Sequence, residues 1–282
     1  MDFMFAYIFG VTKSTNFLCN APARQRYFRL YRIESRHLPG ADSAIQELEA
    51  LCLSMCQAAE IFCRGFSDIS VVTTPATSPV VYSNLSSQLD SSPCSKRRKD
   101  FVIASEVFDH LTASHETSGV TLTYLVHELS RSPILQSSLR AELLTLCPPL
   151  TCPLAPRNAS VEEEDGTPLL PSAGAIDSLP LLNALIYETL RRYTVSPTPQ
   201  PRITPGGTTI EGYANIPAGV RVSTSAYCLH RNAEVFPDPT AFKPERWMEG
   251  QKGMGGNEEM RRWFWAFGSG GRMCLGSNFA IQ

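Results

Sequence analysis

Phe267-Gly-Ser-Gly-Gly-Arg-Met-Cys-Leu-Gly276 decides how this chain is read. Gly268, Gly270, Gly271 and Gly276 lack a Cβ, so the backbone can take up positive φ and come close to a flat ligand. Amide groups in such a loop can point at the Cys274 sulfur and favour its thiolate form. Arg272 stands two residues away and can bind a carboxylate. Leu275 to Ile281 reads as the start of a helix, and a helix N-terminus also favours a thiolate. The loop alone leaves open a second reading, a glycine-rich turn with an incidental cysteine.

Upstream, Glu188 and Arg191 share one face of a helix predicted over Leu181 to Tyr193 and can pair. Phe242-Lys-Pro-Glu-Arg-Trp247 then supplies Arg246, which would complete a buried network of three charges. Burial would make that network a device of the fold rather than of catalysis. Asp177-Ser-Leu-Pro180 reads as a cap followed by a first-turn proline. After Val195 come short runs punctuated by Pro, Gly and Thr: Thr208 to Gly212, Ala214 to Gly219 and Val220 to Ala226. These are expected to be strands and turns.

The N-terminal half reads differently. Residues 1–65 are expected to be mostly helical, with Ile45, Leu48, Leu51, Met55 and Ile61 forming the apolar stripe between Ala41 and Phe66. Residues 67–98 are rich in Ser, Thr and Pro and end in Lys96-Arg-Arg-Lys99. They are taken as a flexible connection with a solvated basic run. A long helix is expected over residues 100–131, with a second over Pro133 to Leu146. The long helix carries a polar interruption, Thr112-Ala-Ser-His-Glu-Thr-Ser-Gly119. That interruption is either a solvent-facing turn or a local opening over a ligand. Residues 147–176 read as a second connection, with Glu162-Glu-Glu-Asp165. No repeat is visible, and helices with a small sheet make the class α+β, mainly α.

Composition limits the alternatives. The 282 residues are 43% hydrophobic and 18% charged, with net charge −2, as in a globular protein without a broadly basic surface for nucleic acid. The nine cysteines are odd in number and lack a CxxC pair, which speaks against a disulfide framework or a zinc site and suits a reducing compartment. The sequons at Asn84 and Asn158 are read as chance. Met1 to Gly10 is apolar but too short to span a bilayer, so any membrane anchor is expected outside this chain.

The cysteine loop, Glu188-Thr-Leu-Arg191 and Pro244-Glu-Arg-Trp247 resemble three signature motifs of the cytochrome P450 superfamily, in the family's order. Ala113-Ser-His-Glu-Thr-Ser118 resembles a fourth. The likeness covers about residues 100–282 and is looser over 1–99. It implies a partial P450 fold, divided as follows. Residues 1–99 hold upstream helices and a flexible linker, and 100–146 the long distal helix and its follower. Residues 147–176 are a linker, and 177–282 carry the Glu-x-x-Arg helix, the small sheet and the heme-binding loop.

The resemblance implies a heme b cofactor with Cys274 as axial thiolate. Phe267 lies beside the sulfur, Gly268 and Gly276 shape the loop, and Arg272 and Arg202 stand where propionates bind. Ala113 lies against the distal heme face. Glu116 and Thr117 match the acid–alcohol pair that handles oxygen and protons. Glu188, Arg191 and Arg246 form the structural triad. Ser114 stands where the family usually has Gly, and a modest effect on oxygen handling is expected. His115 reads as an ordinary helix residue, and His230 with Arg231 as structural. Lys252, Arg261 and Arg262 precede the loop as a solvated face or a docking surface for a redox partner.

The activity implied is insertion of one oxygen atom from dioxygen into a small apolar substrate, with electrons from an NADPH-dependent reductase. The implied location is the cytosolic face of the endoplasmic reticulum membrane. Two other outcomes are carried: a catalytically silent fragment, because family members extend upstream and beyond Gln282, and a heme-thiolate isomerase or dehydratase, against which Glu116-Thr117 argues.

Overall fold

A computed structural model describes residues 1–11, 14–65, 78–90, 96–150, 170–248 and 256–281. Most of the two expected connections, the Glu162–Asp165 cluster, the Asn158 sequon and Lys252 lie outside the described residues. The chain divides into two compact units, Met1–Thr117 and Ser118–Gln282.

The first unit is helical: α1 (Asp2–Phe9), α2 (Ala21–Ser35), α3 (Ala41–Gly65), α4 (Val80–Asp90) and the first part of α5 (Lys96–Arg131). Asn20 caps α2, its side chain accepting from Ala23 N at 3.1 Å, and Gly40 enters α3 at φ 90°, a conformation that suits glycine. Asp2 binds the following loop by accepting from Thr15 Oγ1 (2.7 Å), Phe17 N and Leu18 N (both 2.8 Å). The core gathers Phe5, Phe9 and Phe17 with Tyr27, Met55, Val107 and Leu111.

Two expectations in this unit are corrected. The tract over residues 67–98 is not all connection, because α4 lies in it. Tyr82 is buried and Leu85 and Leu89 pack on the core, a helical spacing hidden among serines. The buried stripe of α3 runs through Ala44, Leu48, Cys52, Met55, Cys56 and Ala59, while Leu51 and Ile61 are exposed. Small side chains on that stripe allow close helix packing, so the larger apolar residues beside it are left outside.

α5 runs without a break through the polar segment. Its hydroxyls are satisfied within the helix: Thr112 Oγ1 donates to Phe108 O (3.0 Å), Ser114 Oγ to Leu111 O (3.0 Å) and Thr117 Oγ1 to Ala113 O (2.7 Å). Such back-bonds let Ser and Thr sit inside a helix. Ala113 and residues 116–120 are exposed.

The second unit continues with α6 (Pro133–Leu143), α7 (Ala173–Asp177) and α8 (Pro180–Arg192). Four strands follow: β1 (Gln200–Ile203), β2 (Thr208–Ile210), β3 (Tyr213–Ile216) and β4 (Arg221–Thr224). β1 pairs antiparallel with β4, Arg202 opposite Val222. β2 and β3 form a hairpin closed by Glu211 and Gly212, both at positive φ, the turn whose twist matches its strands. Then come α9 (Ala226–Leu229), a 3-10 turn at Pro244–Trp247, α10 (Glu258–Trp263), a 3-10 turn at Gly270–Arg272 and α11 (Ser277–Ile281). The α+β, mainly helical class is as expected. Among the described residues no helix is long and apolar enough to cross a membrane.

Pro180 opens α8 as expected, but Asp177 and Ser178 do not cap it. The cap residue is Leu179, which makes no side-chain bond. Glu142 of α6 reaches across instead and accepts from Leu181 N (2.7 Å) and Leu182 N (2.9 Å). A carboxylate there satisfies two orphan amides and suits the positive end of the helix.

Candidate functional site

The last turns of α8 place Glu188 and Arg191 inward, both fully buried. Arg191 donates Nε to Glu188 Oε2 (2.8 Å) and Nη2 to Oε1 (2.7 Å), a bidentate pair. Arg246, from the 3-10 turn, donates Nε to Glu188 at 3.2 Å. The sequence therefore named all three charges of this network. It missed Trp247, whose Nε1 donates to Glu188 Oε2 at 2.8 Å, and the amide of Lys243, which donates to Oε1 at 2.9 Å. The signal for Trp247 was available, since a buried indole N–H needs an acceptor. Arg191 uses its remaining donors on the carbonyls of His230 (2.9 Å), Pro239 (2.8 Å) and Ala241 (3.1 Å). A buried charge pair is tolerable when its other lone pairs and protons are also met, and here they hold a long irregular segment onto α8.

His230 is fully buried behind this network. Its Nε2 accepts from the amide of Trp265 at 2.9 Å, so that nitrogen carries no proton. Nδ1 therefore bears the ring hydrogen and donates to Arg191 O at 3.1 Å. Burial, with Arg191 and Arg231 close by, pushes the imidazole down to about 4. The ring stacks on Phe264, centroids 5.4 Å apart. Arg231 donates to Arg192 O at 3.0 Å and covers the Tyr227 ring at 3.5 Å. Arg261 is half-buried and donates to Gly256 O at 2.8 Å, whereas Arg262 is exposed.

The cysteine loop follows directly. Gly268 N donates to Trp265 O (3.0 Å), and Cys274 N to Phe267 O (2.8 Å). Gly268 and Gly270 take φ of 72° and 68°. A Cβ on Gly268 would stand 3.2 Å from Gln200 Oε1 of β1, and one on Gly276 3.9 Å from Cys274 Sγ. Arg202 of β1 reaches Ser269 O at 3.4 Å, so the strand lies along the loop. Cys274 and Arg272 are exposed. Beside them in the loop the apolar side chains of Met273 (52%) and Leu275 (92%) are also exposed. A sulfur nucleophile or ligand, two guanidinium groups and an uncovered apolar rim are thus gathered in one loop and its neighbouring strand.

The α5 residues expected at an oxygen site belong to the first unit. Thr117 bonds to Ala113 as described, and Glu116 accepts from Tyr31 of α2 at 3.0 Å. Tyr31 is held well above the ordinary tyrosine range by burial, then by Glu116. The Tyr31 link was not legible in sequence, because nothing marks residue 31 as a neighbour of residue 116. His115 packs edge-on against Tyr31, centroids 4.5 Å apart, its Nδ1 on Leu111 O.

The family model for cytochrome P450 matches residues 89–282. A cytochrome P450 monooxygenase of Aspergillus niger, orf2, is 34% identical over 184 residues, 65% of this chain and 32% of the relative. The monooxygenase avaI of Aspergillus versicolor is 29% identical across 100% of this chain and 64% of its own. The chain thus spans about a third to two thirds of such relatives. A zebra fish cytochrome P450 solved with progesterone shares the fold, with a TM-score of 0.64 at 19% identity, covering 98% of this chain and 57% of that one. With its family model matched from before α5 to the cysteine loop, this chain belongs to the cytochrome P450 family.

Proposed function

We propose that this chain is the heme-thiolate part of a monooxygenase, with Cys274 as the iron ligand. The observation that carries the reading is the exposed Cys274 thiol on a loop braced by its own glycines. The surroundings fit heme b. Leu275 and Met273 offer an uncovered apolar surface, and Arg202 and Arg272 offer cations for two carboxylates. Bound there, heme would supply dioxygen activation and oxygen-atom insertion into a small apolar substrate, using electrons from NADPH through a reductase.

The chain's own groups have definite tasks in this reading. The Cys274 amide, bonded to Phe267 O, fixes the backbone from which the sulfur projects. Glycine at 268 takes a φ of 72° that a side chain would strain, and keeps the loop against Gln200. Thr117 Oγ1 donates to Ala113 O, and in this reading its hydroxyl would face bound oxygen. Glu116 accepts from Tyr31 through one side-chain oxygen, and in this reading its carboxyl group would help relay protons. Arg262 belongs to a face for an acidic redox partner. The intact protein would work at the cytosolic face of the endoplasmic reticulum membrane.

The test is NADPH-driven transfer of labelled oxygen from dioxygen into an apolar probe, by heme-loaded protein with a reductase. The reading predicts transfer that Cys274→Ala abolishes. Peroxide rearrangement without NADPH consumption would favour an isomerase, and absence of heme uptake a silent fragment.

A further inference from the structure

We infer that His230 is a positioning residue for the Cys274 loop, tying it to the buried Glu188–Arg191 network. This rests on the reading of Cys274 as the heme ligand. The path is continuous within the second unit. Arg191 Nη1 donates to His230 O at 2.9 Å, and His230 Nδ1 returns a bond to Arg191 O at 3.1 Å. Trp265 N donates to His230 Nε2 at 2.9 Å. Trp265 O then receives Gly268 N at 3.0 Å, and Phe267 O receives Cys274 N at 2.8 Å. The imidazole is thus the side-chain acceptor for the amide at the entrance to the loop.

Only a neutral imidazole presents a donor and an acceptor on opposite edges. Burial suits that neutral form, and the stack on Phe264 fixes the ring plane. Removing the acceptor leaves the Trp265 amide unmet, which loosens the segment before Phe267. Groups that orient a metal ligand typically change affinity about 10- to 100-fold when lost.

The experiment compares His230→Gln and His230→Asn in the full 282-residue chain. The Gln amide oxygen extends to the position of Nε2 and can accept from Trp265 N. The Asn amide mimics the Nδ1 edge and leaves Trp265 N unmet. Hydrogen exchange at residues 264–276 and hemin affinity are both read, with Cys274→Ala as the control for ligation. The expected result is wild-type protection and hemin affinity within about threefold in the Gln variant. In the Asn variant, protection is lost and hemin binds about 10-fold or more weakly. Equal behaviour of the Gln and Asn variants overturns the role of His230. Unchanged hemin binding in Cys274→Ala overturns instead the ligand reading beneath it. Should both variants unfold, the unmodified chain decides: a Trp265 amide exchanging as slowly as those of α8 supports the bond, and one as fast as Gly271 overturns it.

Discussion

Glu188 accepts from Arg191, Lys243, Arg246 and Trp247 with no exposure to water. Glu188→Gln keeps the volume and removes the charge, leaving the Arg191 guanidinium buried without a counter-ion. A loss of about 3–5 kcal/mol is expected, read as a lower urea midpoint; an unmoved midpoint would contradict the geometry. His230 gives a pH signature. Its folded value of about 4 lies below the ordinary 6.5, so the unfolded chain binds the proton more readily. Its contribution is therefore complete above about pH 6.5 and is lost as pH falls toward 4. The difference amounts to about 3 kcal/mol, and His230→Phe should flatten that part of the stability profile. At this scale the motif charges were legible because Glu188 and Arg191 share a helix face and, with Pro244–Trp247 and the cysteine loop, match the motifs that carry the family resemblance. Lys243 and Trp265 were not, since a backbone amide announces no partner in sequence; the Trp247 indole, which needs an acceptor once buried, was overlooked.

Among the elements, α8 shows what sequence patterns miss. Pro180 marks its start, yet the cap comes from Glu142 on α6. Glu142→Ala should cost about 0.5–2 kcal/mol, while Ser178→Ala should change stability little; the reverse order in thermal unfolding would restore the local cap. β1 escaped notice because Pro201 sits inside it, and a proline demotes a run to an edge strand. Among the described residues it pairs with β4 alone, and it brings Gln200 and Arg202 to the loop. α4 was hidden by its serines, and the α3 stripe was shifted by preferring large residues to Cys52, Cys56 and Ala59. The long helix, by contrast, was readable through its polar segment, because hydroxyls that bond back to their own turn do not break it.

Across the whole molecule, each unit has its own core, and the chain covers about a third to two thirds of its curated relatives. The α+β class was readable from the pattern of helices and short strands, and the family from three motifs that all fall in the second unit. Packing in the first unit carries no such signature, since aromatic and small residues can build many helical cores. The claim that joins sequence, loop and function is ligation of heme iron by Cys274. It is tested most directly by the carbon monoxide difference spectrum of the reduced, hemin-loaded chain. The expected result is a thiolate-type Soret band in the wild type that is absent in Cys274→Ala. The same band in both proteins, or none in the wild type, would contradict it.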